Sequence, residues 1–290
     1  MDRGSEVRFH YEGEPVKIEK IEVKDIQPKI PELGGTTIVL QRNAKDDRRL
    51  NSTDIGALEV EAAEQVKFSA KVFFDKIFEG LTEKERLSVD VMIVASDTTL
   101  ITPGGIISPH KRAVETADRV IVGLKESMSG FSLSEQQFLN SSATQDGGVI
   151  EVSELRDLLM VRESPEFMAF LVEKYGSGME FWDAYENDTE KETRLKMGAE
   201  GPEEIADRVN HALSLQTQIA REYHLANPSR RLIIWAVSHY DSISPFIKKH
   251  VTGTDLKKYL PVDQGAGITI EINKDGAASC DLREQKIKLN

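Results

Sequence analysis

Three polar clusters follow apolar runs, the second of them after the intervening loop 97–110, and each carries a side chain suited to an anion. Gln41-Arg42-Asn43-Ala44-Lys45 follows Thr36-Thr37-Ile38-Val39-Leu40. Lys111-Arg112-Ala113-Val114-Glu115-Thr116-Ala117 opens a helical pattern after the run Val89-Asp90-Val91-Met92-Ile93-Val94-Ala95. Ser238-His239 follows Leu232-Ile233-Ile234-Trp235-Ala236-Val237. Two guanidinium groups and an imidazole suit a phosphoryl group, because the planar arginine fork engages two oxygens at once. Helix N-termini beside them add backbone N–H donors. Singly, an arginine is usually a solvated surface charge and a histidine is more often structural than catalytic. The order and placement of all three clusters give them a shared meaning.

That meaning depends on the elements that position them. The β-branched run at 36–40 has the pattern of a strand buried on both faces, as do 89–95 and 232–237. Between about 58 and 81, Ala62, Val66, Ala70, Phe73, Phe74 and Ile77 recur at helical spacing. Further helices are expected near 111–124, over 203–224 with Pro202 near the start, and near 242–251. Final strands are expected at 268–272 and near 281–289. Strands alternating with helices predict an α/β fold, a mostly parallel central sheet flanked by helices on both faces. Ligands of such sheets bind beyond the carboxyl ends of the strands. Arg42, Arg112 and His239 should therefore converge on one crevice.

Two segments fall outside this pattern. In residues 1–35, Val7, Phe9 and Tyr11 alternate, as do Val16 and Ile18, then Ile21 and Val23. This predicts an N-terminal β extension, a short antiparallel pair, joined by a linker at Pro28, Pro31 and Gly34-Gly35. The main domain is then 36–290. Residues 125–200 mix short helical patterns with polar loops and read as a capping insertion over one end of the sheet. Trp182, Phe181 and Tyr185 either cover the site or pack that insertion, and packing is the expectation.

Composition narrows the function classes. The chain has 290 residues with 37 Lys+Arg against 49 Asp+Glu, a net charge of -12. That argues against nucleic acid as a partner, since a non-specific binder is normally basic. It leaves an anionic small substrate open, because a local arginine cluster acts inside an acidic protein. The longest apolar runs are too short to cross a bilayer, and residues 1–6 show no apolar signal region. One cysteine, Cys280, excludes an internal disulfide and an all-cysteine metal site. The expectation is a cytoplasmic protein without membrane, metal or cofactor.

Leu40-Gln41-Arg42-Asn43-Ala44-Lys45 resembles the opening motif of the histidine phosphatase (phosphoglycerate mutase-like) superfamily, an arginine–histidine pair followed by glycine or alanine. The alanine–lysine form is similar to the short bacterial phosphohistidine phosphatases. Arg112 to Ala117 resembles the second motif, Arg-Ala-x-x-Thr-Ala, and Val237-Ser238-His239 the third. Leu155-Arg156-Asp157 is similar to the Leu-x-Glu that carries the general acid, with aspartate for glutamate. The resemblance spans about 36–275. It implies a phosphomonoester hydrolase working through a phosphohistidine, with a phosphorylated small molecule or phosphoprotein as partner. Arg42, Arg112 and His239 would hold the phosphoryl oxygens. Asp157 would protonate the leaving oxygen, with Glu163 as its rival. The extra mutase motifs have no clear counterpart.

Asn43 stands at the nucleophile position. An amide nitrogen's lone pair is delocalised into the carbonyl and does not attack phosphorus usefully, but the group still hydrogen-bonds a phosphate oxygen. Two readings fit: an inactive form of a working phosphatase, or a pseudophosphatase that binds a phosphate ligand or protein partner. His110 or His239 as a substitute nucleophile is disfavoured, because displacement must be in line and neither follows the first strand. Tyr240 is expected to line the site with a bulky ring. Arg48 and Arg49 read as a solvated loop, and Gly104-Gly105 lacks the flanking residues of a phosphate loop.

Overall fold

Continuous apolar strands need cover on both faces, and helices supply it here. The computed structural model describes residues 8–47, 56–99, 107–144, 147–157, 164–283 and 285–289. The main elements are β1 (Thr36–Arg42), α1 (Val60–Glu79), β2 (Val89–Ser96), α2 (Arg112–Gly130), β3 (Ile150–Val152), α3 (Pro165–Tyr175), α4 (Met179–Glu186), α5 (Pro202–Ala226), β4 (Arg231–Ser238), α6 (Tyr240–Phe246), β5 (Gly267–Ile272), β6 (Ala278–Leu282) and β7 (Gln285–Leu289). They form an α/β fold around a seven-stranded sheet of order β3-β2-β4-β1-β5-β6-β7. The first four strands in that order run parallel. The flank from β1 through β5 and β6 to β7 is antiparallel. The expected strand near 281–289 is thus the hairpin β6–β7.

Each face of the sheet carries its own apolar layer. On one, Val66, Phe73, Phe74 and Ile77 of α1 and Ala117, Val120 and Leu124 of α2 pack on Val39, Val91, Ile93 and Trp235. Trp235 meets Phe73 edge-on at 5.0 Å between centroids. On the other, α5 and α6 cover Ile38, Leu40, Ile234 and Ile268. Gly123 sets the approach of α2 to α1. A Cβ there would lie 2.4 Å from the Lys67 carbonyl oxygen and 2.9 Å from the Lys71 nitrogen, which are backbone atoms that cannot swing aside. Gly123→Ala is therefore expected to lower stability by about 1–3 kcal/mol, read as a lower urea midpoint.

The N-terminal segment corrects an expectation. Residues 8–35 contain no antiparallel strand pair; their one helical element is the turn Val23–Asp25. Their backbone groups bond to a distant loop instead: Val16 N–H to the Thr252 carbonyl (2.9 Å), Ile21 N–H to Pro261 (2.8 Å), and Asp263 N–H to the Ile21 carbonyl (3.0 Å). Phe9 is buried, and the Asn210 side chain of α5 both accepts from its N–H and donates to its carbonyl, each at 3.1 Å. The apolar alternation therefore marks a strap lying on the domain. Val7 is outside the described residues. Within 125–200, α2 continues to Gly130 and β3 joins the sheet edge beside β2, while α3 and α4 follow. No helix among the described residues is long and apolar enough to cross a membrane.

Candidate functional site

The motif residues meet because three chain turns occur at the same edge of the sheet. In the β1–β4 register Arg42 lies opposite Ser238, so Asn43 and His239 leave the sheet side by side. The Asn43 N–H donates to the Ser238 carbonyl at 2.8 Å. His239 keeps an extended backbone and α6 begins at the next residue, which holds the imidazole at the carboxyl edge. Arg112 is the first residue of α2. A cavity of about 290 Å³ results. Arg42, Asn43, Arg112, Asp157 and His239 all line it, together with Met179, Trp182, Tyr240, Asp241 and Tyr259.

The second motif is wired into the first. The Thr116 hydroxyl donates to the Arg112 carbonyl (2.7 Å) and accepts from the Ala44 N–H (3.0 Å). Glu115 accepts from the Leu58 N–H at 3.0 Å, and its other oxygen lies 2.6 Å from His110 Nδ1. His110 thus staples a loop and does not line the cavity. Asp157 is placed by its N–H on the Thr98 hydroxyl (3.2 Å) and by Arg208, whose guanidinium spans the carbonyls of Glu154, Arg156 and Asp157. Glu163, Arg48, Arg49 and Gly104-Gly105 lie outside the described residues.

Arg112 is held loosely by carboxylates. Arg112 Nη1 lies 3.5 Å from Asp46 Oδ1 and Nη2 3.8 Å from Asp157 Oδ2, longer than a tight fork. The Arg42 guanidinium donates to the Val262 carbonyl and sits 5.2 Å from the centre of the Tyr240 ring. Burial pulls its pKa below the ordinary value, with Arg112 adding to that and Asp241 opposing it. The Asn43 amide donates to the Ala44 carbonyl at 2.9 Å.

His239 is 2% exposed. Burial, then Arg112, Arg42 and Arg208, holds its pKa well below the usual histidine value, so the ring is neutral. Nε2 lies 3.2 Å from the Ser96 hydroxyl, while Nδ1 is buried with no hydrogen-bond partner among the described residues. If Nε2 accepts from Ser96, Nδ1 carries the proton and is a donor with no partner among the described residues. A depressed native pKa has a consequence for stability. The unfolded chain takes up a proton below about pH 6.5 and the folded chain does not, so stability falls as pH drops through that value. The slope from His239 is at most about 1.4 kcal/mol per pH unit, and burial of His224 and His250 acts in the same direction. Urea unfolding at pH 7.5 and 5.5 should show a smaller loss in His239→Asn than in the parent. An equal loss would mean that the ring is charged in the fold.

Three lining residues escaped the sequence, Met179, Asp241 and Tyr259, and Trp182 was expected to pack rather than to cover the site. Trp182 does pack, edge-on to Phe181 at 5.2 Å, but it also stands 5.8 Å from Tyr240 in the wall. Phe181 and Tyr185 are buried, as packing residues should be. Behind the wall, the Tyr240 hydroxyl donates to Glu186, and Lys248 Nζ lies 2.8 Å from the second Glu186 oxygen. Lys248 also donates to the carbonyls of Leu256 (2.7 Å) and Lys258 (3.0 Å). Its side chain is fully buried, and burial lowers its pKa against the pull of Glu186. Glu186→Ala strands this buried ammonium. A loss of about 3–5 kcal/mol is expected by denaturant unfolding. Among the described residues no group of three or more His, Cys, Asp or Glu is placed to hold a metal ion.

No family model matches the chain, and no curated protein sequence does. Solved structures do. Phosphoglycerate mutase from Bacillus anthracis str. Sterne aligns over 87% of this chain and 93% of that one, at 15% identity and a TM-score of 0.47. A putative alpha-ribazole-5'-P phosphatase from Escherichia coli K-12 aligns over 85% and 95%, at 16% identity and a TM-score of 0.39. A mutant phosphoserine phosphatase from Entamoeba histolytica, in complex with phosphoserine, aligns over 87% and 94%, at 13% identity and a TM-score of 0.36. Scores below 0.5 leave these likenesses loose. The chemistry of the site rests on this chain's own residues.

Proposed function

We propose that the cavity binds the phosphoryl group of a phosphomonoester, and that the chain carries the machinery of a histidine phosphatase-type hydrolase with asparagine in place of the nucleophile. The observation that carries this reading is the convergence of Arg42, Arg112, His239, Asp157 and Asn43 on one small cavity. Arg42 and Arg112 offer fixed positive charge where the equatorial oxygens of a transferring phosphoryl group spread negative charge. His239 adds a neutral donor. Asp157, beside Arg112, is the group to protonate a leaving oxygen.

Asn43 removes the covalent step and leaves the binding groups in place. The chain as it stands is then a binder of a phosphorylated small molecule or phosphoprotein residue in a cytoplasmic setting. Whether that binding is an end in itself or the remnant of turnover is decided by Asn43→His. Calorimetric titration with inorganic phosphate tests the shared step. Saturable binding at a single site, weakened by Arg42→Ala, is expected. Absence of binding would overturn the proposal. In the Asn43→His protein, a chelator should leave turnover unchanged, since no step calls for a metal.

A further inference from the structure

From the outer wall of the cavity we infer that the site takes an aromatic phosphomonoester, with a single ring as leaving group. This rests on the phosphoryl-binding reading above and concerns the other half of the ligand. The arginines occupy one part of the cavity lining. Another part is built of Tyr240, Trp182, Tyr259 and Met179. Three rings adjoin one another beside the arginine: Tyr240 lies under Arg42 at 5.2 Å, Trp182 meets Tyr240 edge-on at 5.8 Å, and Tyr259 lies 6.1 Å from Tyr240 at 50°. Tyr259 is 45% exposed and Met179 53%, so large apolar side chains are left in water at the mouth.

The wall is also rigidly built. Tyr240 is fixed at its hydroxyl by buried Glu186, which is fixed in turn by fully buried Lys248. Burying such a pair is costly, and here its geometric consequence is to set one ring beside the phosphoryl site. Rings in offset or edge-to-face contact attract beyond their buried area, and a thioether adds contact at a ring edge. A cavity of about 290 Å³ is at the small end for ligand sites. It suits a phosphoryl group with one ring rather than a large conjugate.

The test is calorimetric titration of the intact chain with inorganic phosphate, phenyl phosphate, cyclohexyl phosphate and glycerol 3-phosphate. Phenyl phosphate should bind about three- to tenfold tighter than either aliphatic ester. Tyr259→Ala, at an exposed position that the fold tolerates, should bring the phenyl-to-cyclohexyl ratio close to one, and Tyr259→Phe should keep it. Equal binding of the phenyl and cyclohexyl esters, with inorganic phosphate still bound, overturns the aromatic assignment and leaves the phosphoryl site standing. A phenyl preference that survives Tyr259→Ala unchanged also overturns this wall as its source. If neither inorganic phosphate nor any ester binds, both readings fail together.

Discussion

Asn43→His is expected to turn a chain that hydrolyses phenyl phosphate no faster than a blank into one with turnover of about 1 s⁻¹ or more, the lower end of ordinary enzymes. The expectation that one substitution suffices rests on the contacts at position 43. The Asn43 amide nitrogen, bonded to Cγ, donates to the Ala44 carbonyl at 2.9 Å. Imidazole Nδ1 is also bonded to Cγ, so the same donor contact is retained after substitution. That contact keeps the proton on Nδ1 and leaves the Nε2 lone pair for phosphorus. On the proposed mechanism the N–P bond would form as the P–O bond breaks, and Asp157 would give its proton to the departing oxygen. Water, giving a proton to the Asp157 carboxylate, would then attack phosphorus as the N–P bond breaks, which splits one difficult displacement into two easier ones. Turnover in the parent as fast as in an active Asn43→His protein would refute the assignment of position 43. Wild-type-like phosphate binding without turnover after substitution would favour a dedicated binding module.

Arg112→Ala should weaken phosphate binding about ten- to a hundredfold, because a charge-assisted bidentate contact contributes about 1.5–3 kcal/mol. Arg112 sits at the first position of α2, with Asp46 and Asp157 at 3.5 and 3.8 Å. Those distances leave room for its fork to turn toward a phosphoryl oxygen pair. Arg112→Lys should recover only part of the loss, since lysine is a point charge without the planar fork. Circular dichroism must show an intact fold in each variant, as Asp46 and Asp157 lose a neighbour. Unchanged affinity in folded Arg112→Ala would make Arg112 an ordinary structural arginine.

The strands that carry these residues were legible because β1, β2 and β4 are continuous apolar runs, and a strand buried on both faces has no alternation to confuse it. Arg42 and His239 at the ends of their runs, with Arg112 opening the helix after the second run, were enough to find the cavity. The strap at 8–35 shows what periodicity leaves out. Alternation of Val16 with Ile18 and of Ile21 with Val23 tells which face is buried, whereas the Thr252 and Pro261 carbonyls that satisfy this backbone are more than two hundred residues away. Tyr240 was expected in the outer wall, but the rest of that wall was hidden for the same reason. Tyr259 lies in a loop without a repeating pattern, and Met179 opens a short helix in the segment without motifs. Lys248, in Ile247-Lys248-Lys249-His250, reads as a solvated charge beside another lysine. It is fully buried because Glu186, sixty-two residues earlier in the chain, reaches it.

The most direct measurement is a crystal structure of the chain as it stands, soaked with orthovanadate. The account predicts the anion in the cavity, with oxygens within hydrogen-bonding distance of Arg42, Arg112 and His239 and with the Asn43 side chain beside it. An empty cavity in a crystal that binds vanadate elsewhere, such as along Lys24, Lys29 and Lys286, would contradict it.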